Sequence, residues 1–342
     1  MSRSIVDLQK LVENLDDDDR SLFHRIYRYY IEVGKLRLPE FMRTKEKFGN
    51  CEAQQIVRVT NKITYESTLF NRLRSKRPIM TKTSKDVSKV IDESRGDIFC
   101  NPENTPEDIF GRIEGKFCIT ASNISKYDYM HAVIIFRDHT PFVYEEEKIY
   151  DILDVAFRWF EKANEYDRRA TYPFFVWNCL WRAGASIIHG HAHALISKEP
   201  YSKYEFYDSV RKTYAENYHS EYFDDLYRIH KALGLGFTLG NSKILVYLTP
   251  IKEKEVVIIA ENTTELAKSM SYILKRYYEM GVRSFNAAVF IPPLGTTDVL
   301  IARIVDRGDL SIKTSDIGGM ELYAGTSVVS TDPFVLAEML KI

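Results

Sequence analysis

Gly184-Ala-Ser-Ile-Ile-His-Gly-His-Ala-His-Ala-Leu-Ile196 places His189, His191 and His193, three of the chain's eight histidines, at alternate positions. On an extended strand successive side chains face opposite sides, so the three imidazoles are expected on one face. The residues between them are glycine and alanine, which leaves the other face free to pack closely. Imidazoles in such a cluster bind metal or perform nucleophilic and acid–base chemistry near neutral pH. Same-face neighbours on a strand lie about 6.5–7 Å apart, whereas zinc holds its nitrogen ligands at about 2.1 Å. Three consecutive same-face histidines therefore do not suit one ion. Divided roles fit better: one histidine binding metal, one attacking and one supporting.

Outward from this segment, the flanking pattern is mixed. Ile113–Ala121, Ala132–Phe136 and Phe174–Trp177 are short apolar or β-branched runs that read as strands. Between them Tyr150–Asn164 has helical spacing through Ile152, Val155, Trp159 and Phe160. The same order recurs later. Gly236–Gly240, Ile244–Leu248 and Glu255–Ala260 read as strands, Thr264–Met280 as a helix capped at Thr263 or Thr264, and Phe285–Ile291 and Val299–Val305 as strands. One order of elements met twice points to an internal duplication. Residues 198–233, polar, aromatic and helix-prone, connect the copies. Residues 5–35 read as helix, restarted after Asp16–Asp19, where carboxylates favour a helix N-terminus. The expected class is α+β: an N-terminal helical extension (1–55), a catalytic half (56–200) and a degenerate second half (201–342), each half an antiparallel sheet with packed helices.

Composition narrows the function. The 342 residues are 45% hydrophobic and 28% charged, with a net charge of -1. There is no global basic field, so nucleic acid and anionic membrane are not indicated as partners. The start of the chain lacks the apolar stretch of a signal peptide, and the longest apolar runs are strand-sized. Cys51, Cys100, Cys118 and Cys179 are irregularly spaced and do not form a disulfide framework. A cytoplasmic location is the expectation.

The His-x-His-x-His pattern preceded by Gly-x-Ser resembles the histidine-triad superfamily, and the wider chain its galactose-1-phosphate uridylyltransferase branch. That branch also has two related halves, with the catalytic strand in the first. Further segments fall in the family's order. Arg74-Ser-Lys-Arg77-Pro78 is similar to the stretch whose arginines contact nucleotide phosphates. Asn123 is similar to the asparagine that meets the nucleoside. Phe136-Arg-Asp-His139 resembles the segment that supplies a zinc-binding histidine. Trp177-Asn178 looks like the family's approach to the motif, and Glu321 lies in a Gly-Gly-Met-Glu-Leu segment similar to one near the family's C-terminus.

The chain also departs from that pattern. Asp97-Ile-Phe-Cys100 stands where the family often has Cys-x-x-Cys, so the implied structural zinc set is Asp97, Cys100, His139 and His189. His193 stands where the transferases usually have glutamine and many triad hydrolases have histidine. No histidine follows His230.

The resemblance implies a two-step displacement at the α-phosphorus of a nucleotide donor. His191 is the nucleophile, His193 orients the strand or the phosphate, and Ser186 with nearby backbone amides binds the phosphoryl oxygens. Arg74, Arg77, Asn123, Asn178 and Glu321 are the implied substrate-binding residues. Expected partners are a nucleotide sugar or dinucleotide and a phosphate-bearing acceptor; a homodimer is a further expectation of the resemblance. Two alternatives stand beside a transferase: a phosphorylase or hydrolase of dinucleoside polyphosphates, and a non-catalytic nucleotide- or metal-binding protein.

Overall fold

The computed structural model describes residues 3–43, 51–71, 73–74, 86–312 and 314–341. Its strands are β1 (Tyr27–Lys35), β2 (Ala53–Asn61), β3 (Ser67–Phe70), β4 (Cys118–Ser122), β5 (Met130–Phe136), β6 (Tyr172–Cys179) and β7 (His191–Ser197) in the first part of the chain. β8 (Gly236–Leu239), β9 (Ser242–Val246), β10 (Glu253–Ala260), β11 (Phe285–Phe290), β12 (Leu300–Asp306) and β13 (Thr326–Val329) follow. Helices alternate with them, so the architecture is α+β.

The two halves join in one nine-stranded sheet ordered β4-β5-β7-β6-β11-β12-β10-β9-β8, antiparallel at every pair. β6 and β11 lie at the seam, and the strand order reads outward alike on both sides of it. Register makes the likeness concrete. A single row across the sheet runs from His193 through Val176, Ala288 and Arg303 to Val257. Arg303 on β12 thus stands in the second half where His193 stands in the first.

Two long helices, Glu146–Tyr166 and Thr263–Glu279, cover one face of the sheet and pack on each other. Their apolar stripes and the inward residues of the strands make one core, which includes Ala132, Ile134, Phe136, Ala192, Ala194 and Ile196. The cap of the second helix is Asn262, one residue before the expected threonine; its side chain accepts from the Glu265 amide. The other face of the sheet carries the histidines.

The amino-terminal segment differs from its sequence reading. Asp16 caps a helix Asp17–Ile26 as expected, accepting from the Asp19 amide at 2.8 Å. The chain then becomes β1 and pairs with β2 along nine residues. Tyr27, Tyr29, Tyr30, Ile31 and Val33 are aromatic or β-branched, and such residues favour a pleated surface once a partner strand is present. β1, β2, β3 and β13 form a second, four-stranded sheet that joins the two ends of the chain. Among the described residues no helix is long and apolar enough to cross a membrane.

Candidate active site and metal cluster

β7 begins at His191, so the three histidines do not all belong to the strand. His191 and His193 stay on one face, opposite Ile135 and Val133 of β5. His189 sits in the approach loop and turns elsewhere. Gly190 makes that bend by close approach. A Cβ on it would lie 2.5 Å from the Phe136 ring and 2.6 Å from the Thr140 carbonyl oxygen.

The hydrogen bonds settle which nitrogens are available. Nδ1 of His191 lies 2.8 Å from the His189 carbonyl oxygen, so it carries the proton and donates. Nε2 is left with its lone pair. Burial lowers the His191 pKa, the carbonyl bond opposing that, so the neutral, nucleophilic form is the stable one. The edge of Phe99 closes on the ring at a centroid distance of 5.2 Å.

His193 is set by a second relay. The Tyr127 amide donates to Nδ1 of His131 at 3.1 Å, which places the His131 proton on Nε2. That Nε2–H donates to Nδ1 of His193 at 2.9 Å. The remaining N–H of His193 is therefore on Nε2, a donor. Burial and the neighbouring imidazoles hold the His193 pKa down to about 3, and burial with the Lys126 ammonium holds His131 at about 4. Both are neutral at pH 7. His131 was absent from the sequence reading, although it shares the odd-numbered face of β5 with Val133 and Ile135; that alternation was its only signal.

His191 and His193 line a cavity of about 250 Å³ whose wall includes Phe99, Asn123, Tyr127 and the Gly184–Ile187 loop. Ser186 lies on this loop, exposed, and lines the same cavity as His191. Asn123 is held by the Ser125 amide, which donates to its Oδ1 at 2.9 Å. A larger cavity of about 850 Å³ adjoins at Gly184 and is walled by Trp181, Val87, Val90, Leu310 and Ile312. The loop itself is pinned by Arg182, which donates to the carbonyls of Arg307, Ile312 and Thr314 from the second half.

Arg74 and Glu321 line a third cavity, which shares Arg182, Arg307 and Asp316 with the large one. Neither lines the histidine cavity. Glu321 accepts from the Gly318 amide at 2.9 Å and faces Lys252 at 3.4 Å. Asn178 lines none of the three; its Oδ1 accepts from Asn286, whose amide also reaches the Ala183 carbonyl beneath the loop. Arg77 lies outside the described residues.

Asp97, Cys100, His139 and His189 converge, one ligand atom from each lying within 4.8 Å of the others. Nε2 of His189 is 2.7 Å from the Phe136 carbonyl oxygen, and Nε2 of His139 is 3.0 Å from that of Ile91. Both Nε2 atoms therefore donate, and both Nδ1 atoms present lone pairs to each other at 3.1 Å. Two lone pairs at that distance repel unless a cation or a proton lies between them. Burial lowers the His189 pKa, which opposes the proton. The Cys100 sulfur lies 3.3 and 3.5 Å from the same two nitrogens. These spacings suit the edges of a zinc tetrahedron with metal–ligand distances of about 2.0–2.3 Å. Asp97 Oδ2 is buried with no hydrogen-bond partner, an orphan acceptor that a fourth ligand position would satisfy. The residues fit a zinc ion.

No protein-family model matches this sequence, and no curated protein matches it. Solved structures do match the fold. An ADP-glucose phosphorylase of Arabidopsis thaliana, with bound ADP-glucose, aligns at a TM-score of 0.61 and 14% identity, covering 91% of this chain and 98% of its own. A GalT-like protein of the same plant aligns at 0.59 and 15% identity, over 72% of this chain and 92% of its own. A uridylyltransferase aligns at 0.56 and 17% identity, over 84% and 97%. The chain shares its fold with these phosphorylase, GalT-like and uridylyltransferase structures.

Proposed function

We propose that this chain is a nucleotidyl-transferring enzyme that works through a covalent nucleotidyl-histidine at Nε2 of His191. The observation that carries the reading is the 2.8 Å bond from His191 Nδ1 to the His189 carbonyl, which leaves Nε2 free beside the Ser186 loop in a walled cavity. The Nε2 lone pair attacks the α-phosphorus of a nucleotide donor, and the bond from that phosphorus to the bridging oxygen breaks. The leaving phosphate departs with the electron pair. The ring becomes cationic as the N–P bond forms, and its Nδ1–H stays on the His189 carbonyl, which stabilises that charge. In the second step an oxygen of an acceptor phosphate, or of water, attacks phosphorus from the other side and the N–P bond breaks.

The Ser186 hydroxyl and the Nε2–H of His193 supply hydrogen bonds to the phosphoryl oxygens, where negative charge concentrates in the transition state. The nucleoside lies against Phe99, Asn123 and Tyr127. Asp97, Cys100, His139 and His189 would hold a structural zinc ion, which would supply rigidity to the loop ahead of the nucleophile.

The donor is a nucleotide sugar or a dinucleoside polyphosphate. ADP-glucose, bound by one of the structural neighbours, makes the sugar nucleotide the first substrate to test. The dinucleotide is favoured by the wall of the adjoining cavity, where a partly exposed Trp181 indole and four aliphatic side chains suit a second aromatic base.

Intact-mass measurement after brief incubation with ADP-glucose, UDP-glucose or a diadenosine polyphosphate, each without acceptor, tests the reading. A nucleoside-monophosphate adduct is expected on the wild type and none on His191→Ala, whose turnover falls by at least ~10³-fold. An adduct that persists in His191→Ala overturns the assignment of the nucleophile. Absence of both adduct and consumption for every donor supports the non-catalytic alternative instead.

A further inference from the structure

Asn178 and Asn286 meet at the seam between the two halves, paired in register on β6 and β11. Side chains alternate along a strand, so Asn178 shares the histidine face with Val176, and Asn286 shares it with Ala288. The β6–β7 register, continued by two residues, sets Asn178 level with His191. An asparagine amide can be turned either way, and here its neighbours decide. Arg307 Nη1 reaches Oδ1 of Asn286, and a guanidinium only donates. The Ala183 carbonyl lies 2.9 Å from Nδ2 of Asn286, and a carbonyl only accepts. The Asn286 amide therefore has a single orientation.

That orientation passes to Asn178. Nδ2 of Asn286 also donates to Oδ1 of Asn178 at 2.6 Å, so the second amide is turned with its oxygen toward the seam. Its Nδ2, which carries two N–H groups, has no partner among the described residues. The other end of the relay is equally fixed. Asp316 holds the Arg307 guanidinium by two nitrogens, Nε at 2.6 Å and Nη2 at 2.8 Å, and leaves Nη1 for Asn286. Lys252 donates to the backbone carbonyl of Asp316 and so anchors that residue at its main chain. Arg307 and Asp316 both line the 850 Å³ cavity. Ala183, Gly184 and Ala185 carry no polar side chain of their own, so the second half supplies the side-chain bond that holds Ala183.

We propose that Asn286 and Arg307 are positioning residues: they hold the Gly184–Ile187 loop through the Ala183 carbonyl and turn the Asn178 amide so that its N–H groups are available to a phosphoryl oxygen. The inference rests on the nucleotidyl transfer proposed above for the step that it serves. Donated hydrogen bonds run one way, from Arg307 to Asn286 and from Asn286 to Asn178 and the loop. A half with no histidine after His230 thereby sets the geometry around His191 in the other half.

Asn286→Asp keeps an acceptor for Arg307 and removes both donated bonds, so it cuts the relay at its centre. It is run beside Arg307→Met, Arg307→Lys and Asn178→Ala in the full chain. Two readouts are taken: hydrogen–deuterium exchange of the loop amides, and the rate of adduct formation with whichever of ADP-glucose, UDP-glucose or a diadenosine polyphosphate labels the wild type. Asn286→Asp is expected to speed exchange in the loop by about 10-fold while the thermal melt stays in place. At saturating donor it should slow adduct formation by about 10- to 100-fold, with the half-saturating concentration moved by less than about threefold. Arg307→Met should behave alike, and it reads the same bonds from the cavity wall if Asn286→Asp does not fold. Arg307→Lys should recover part of the loss, because an ammonium still donates to Asn286. Asn286→Asp should also cost less in the Asn178→Ala background than in the wild type, since it acts in part through that amide. Wild-type exchange in the loop of the folded variants overturns the proposal. So does a fully additive loss with Asn178→Ala, or an Arg307→Lys no better than Arg307→Met. A wild type that forms no adduct with any donor counts against the proposed function instead, and loop exchange then decides the positioning role by itself.

Discussion

At His193 the important group is one residue away in space and 62 away in sequence. His131 donates to its Nδ1 and so decides that Nε2 is a donor. His131→Phe removes that donor. Turnover is expected to fall by about 10- to 100-fold with little change in KM. A bond donated to a neutral imidazole nitrogen favours the neutral form, so its loss raises the His193 pKa from about 3 toward the ordinary value. The acid limb of the kcat profile should then move to higher pH; an unmoved limb contradicts the relay. Gly190 is decisive for a steric reason, its Cβ position being filled by Phe136 and the Thr140 carbonyl. Gly190→Ala is expected to cost about 1–3 kcal/mol in urea unfolding, as overpacking does elsewhere. The small residues of the motif were conspicuous in the sequence. Which of them lacks room for a methyl group depends on Phe136, 54 residues earlier.

Among the elements, three come together at the metal cluster. Asp97 caps the turn Ile98–Cys100 and is one candidate ligand, the same turn places Cys100, and the segments after β5 and before β7 bring His139 and His189. The cluster therefore gathers the loop before β7, the segment after β5 and the Ile98–Cys100 turn; the first two are also joined by the Gly190 N–H to the His139 carbonyl at 3.2 Å. About one zinc ion per chain is expected by elemental analysis of the purified protein. Cys100→Ala should lose most of it, and chelation of the wild type should lower its melting temperature. A chain free of metal when prepared with zinc, with a melt unaffected by chelator, refutes the cluster. Periodicity located most elements well: the helix read at 150–164 spans Glu146–Tyr166, and the strand read at 255–260 spans Glu253–Ala260. It failed at Tyr27–Lys35, where apolar residues satisfy helical and alternating spacing alike. The nine-residue pairing with β2 decided that element, and a pairing partner is invisible to local spacing.

Across the whole molecule the two halves use one sheet for different ends. The row that carries His193 carries Arg303 in the second half, buried and bound to Glu66 at 2.6 Å and Glu255 at 2.5 Å. Glu66 comes from the turn between β2 and β3, so the amino-terminal sheet plugs the surface that corresponds to the histidine face. Burial alone would raise the Glu66 pKa, but Arg303, Lys203 and the Tyr247 hydroxyl hold it down to about 2. Glu255 behaves oppositely, since burial dominates there and Glu66 repels it. A carboxylate with a depressed folded pKa stabilises the fold above its ordinary pKa, and the gain is lost as pH falls toward the folded value. Urea unfolding should therefore lose stability from about pH 4.5 down to about 2. Glu66→Gln should cost ~3–5 kcal/mol at neutral pH and flatten that acid dependence. The sequence alone determined the histidine strand, the repeated order of elements and the α+β class, because alternation and helical spacing are local properties of a chain. Through a resemblance carried by short motifs it also pointed to the four residues that the fold brings together as a candidate metal cluster. Only the tertiary structure decided that His189 leaves the strand, that His131 sets the proton of His193, that Asn178 braces the loop from beneath, and that the two halves share one sheet. Each of these depends on contacts between residues far apart in the chain, and such contacts exist only once the backbone has closed.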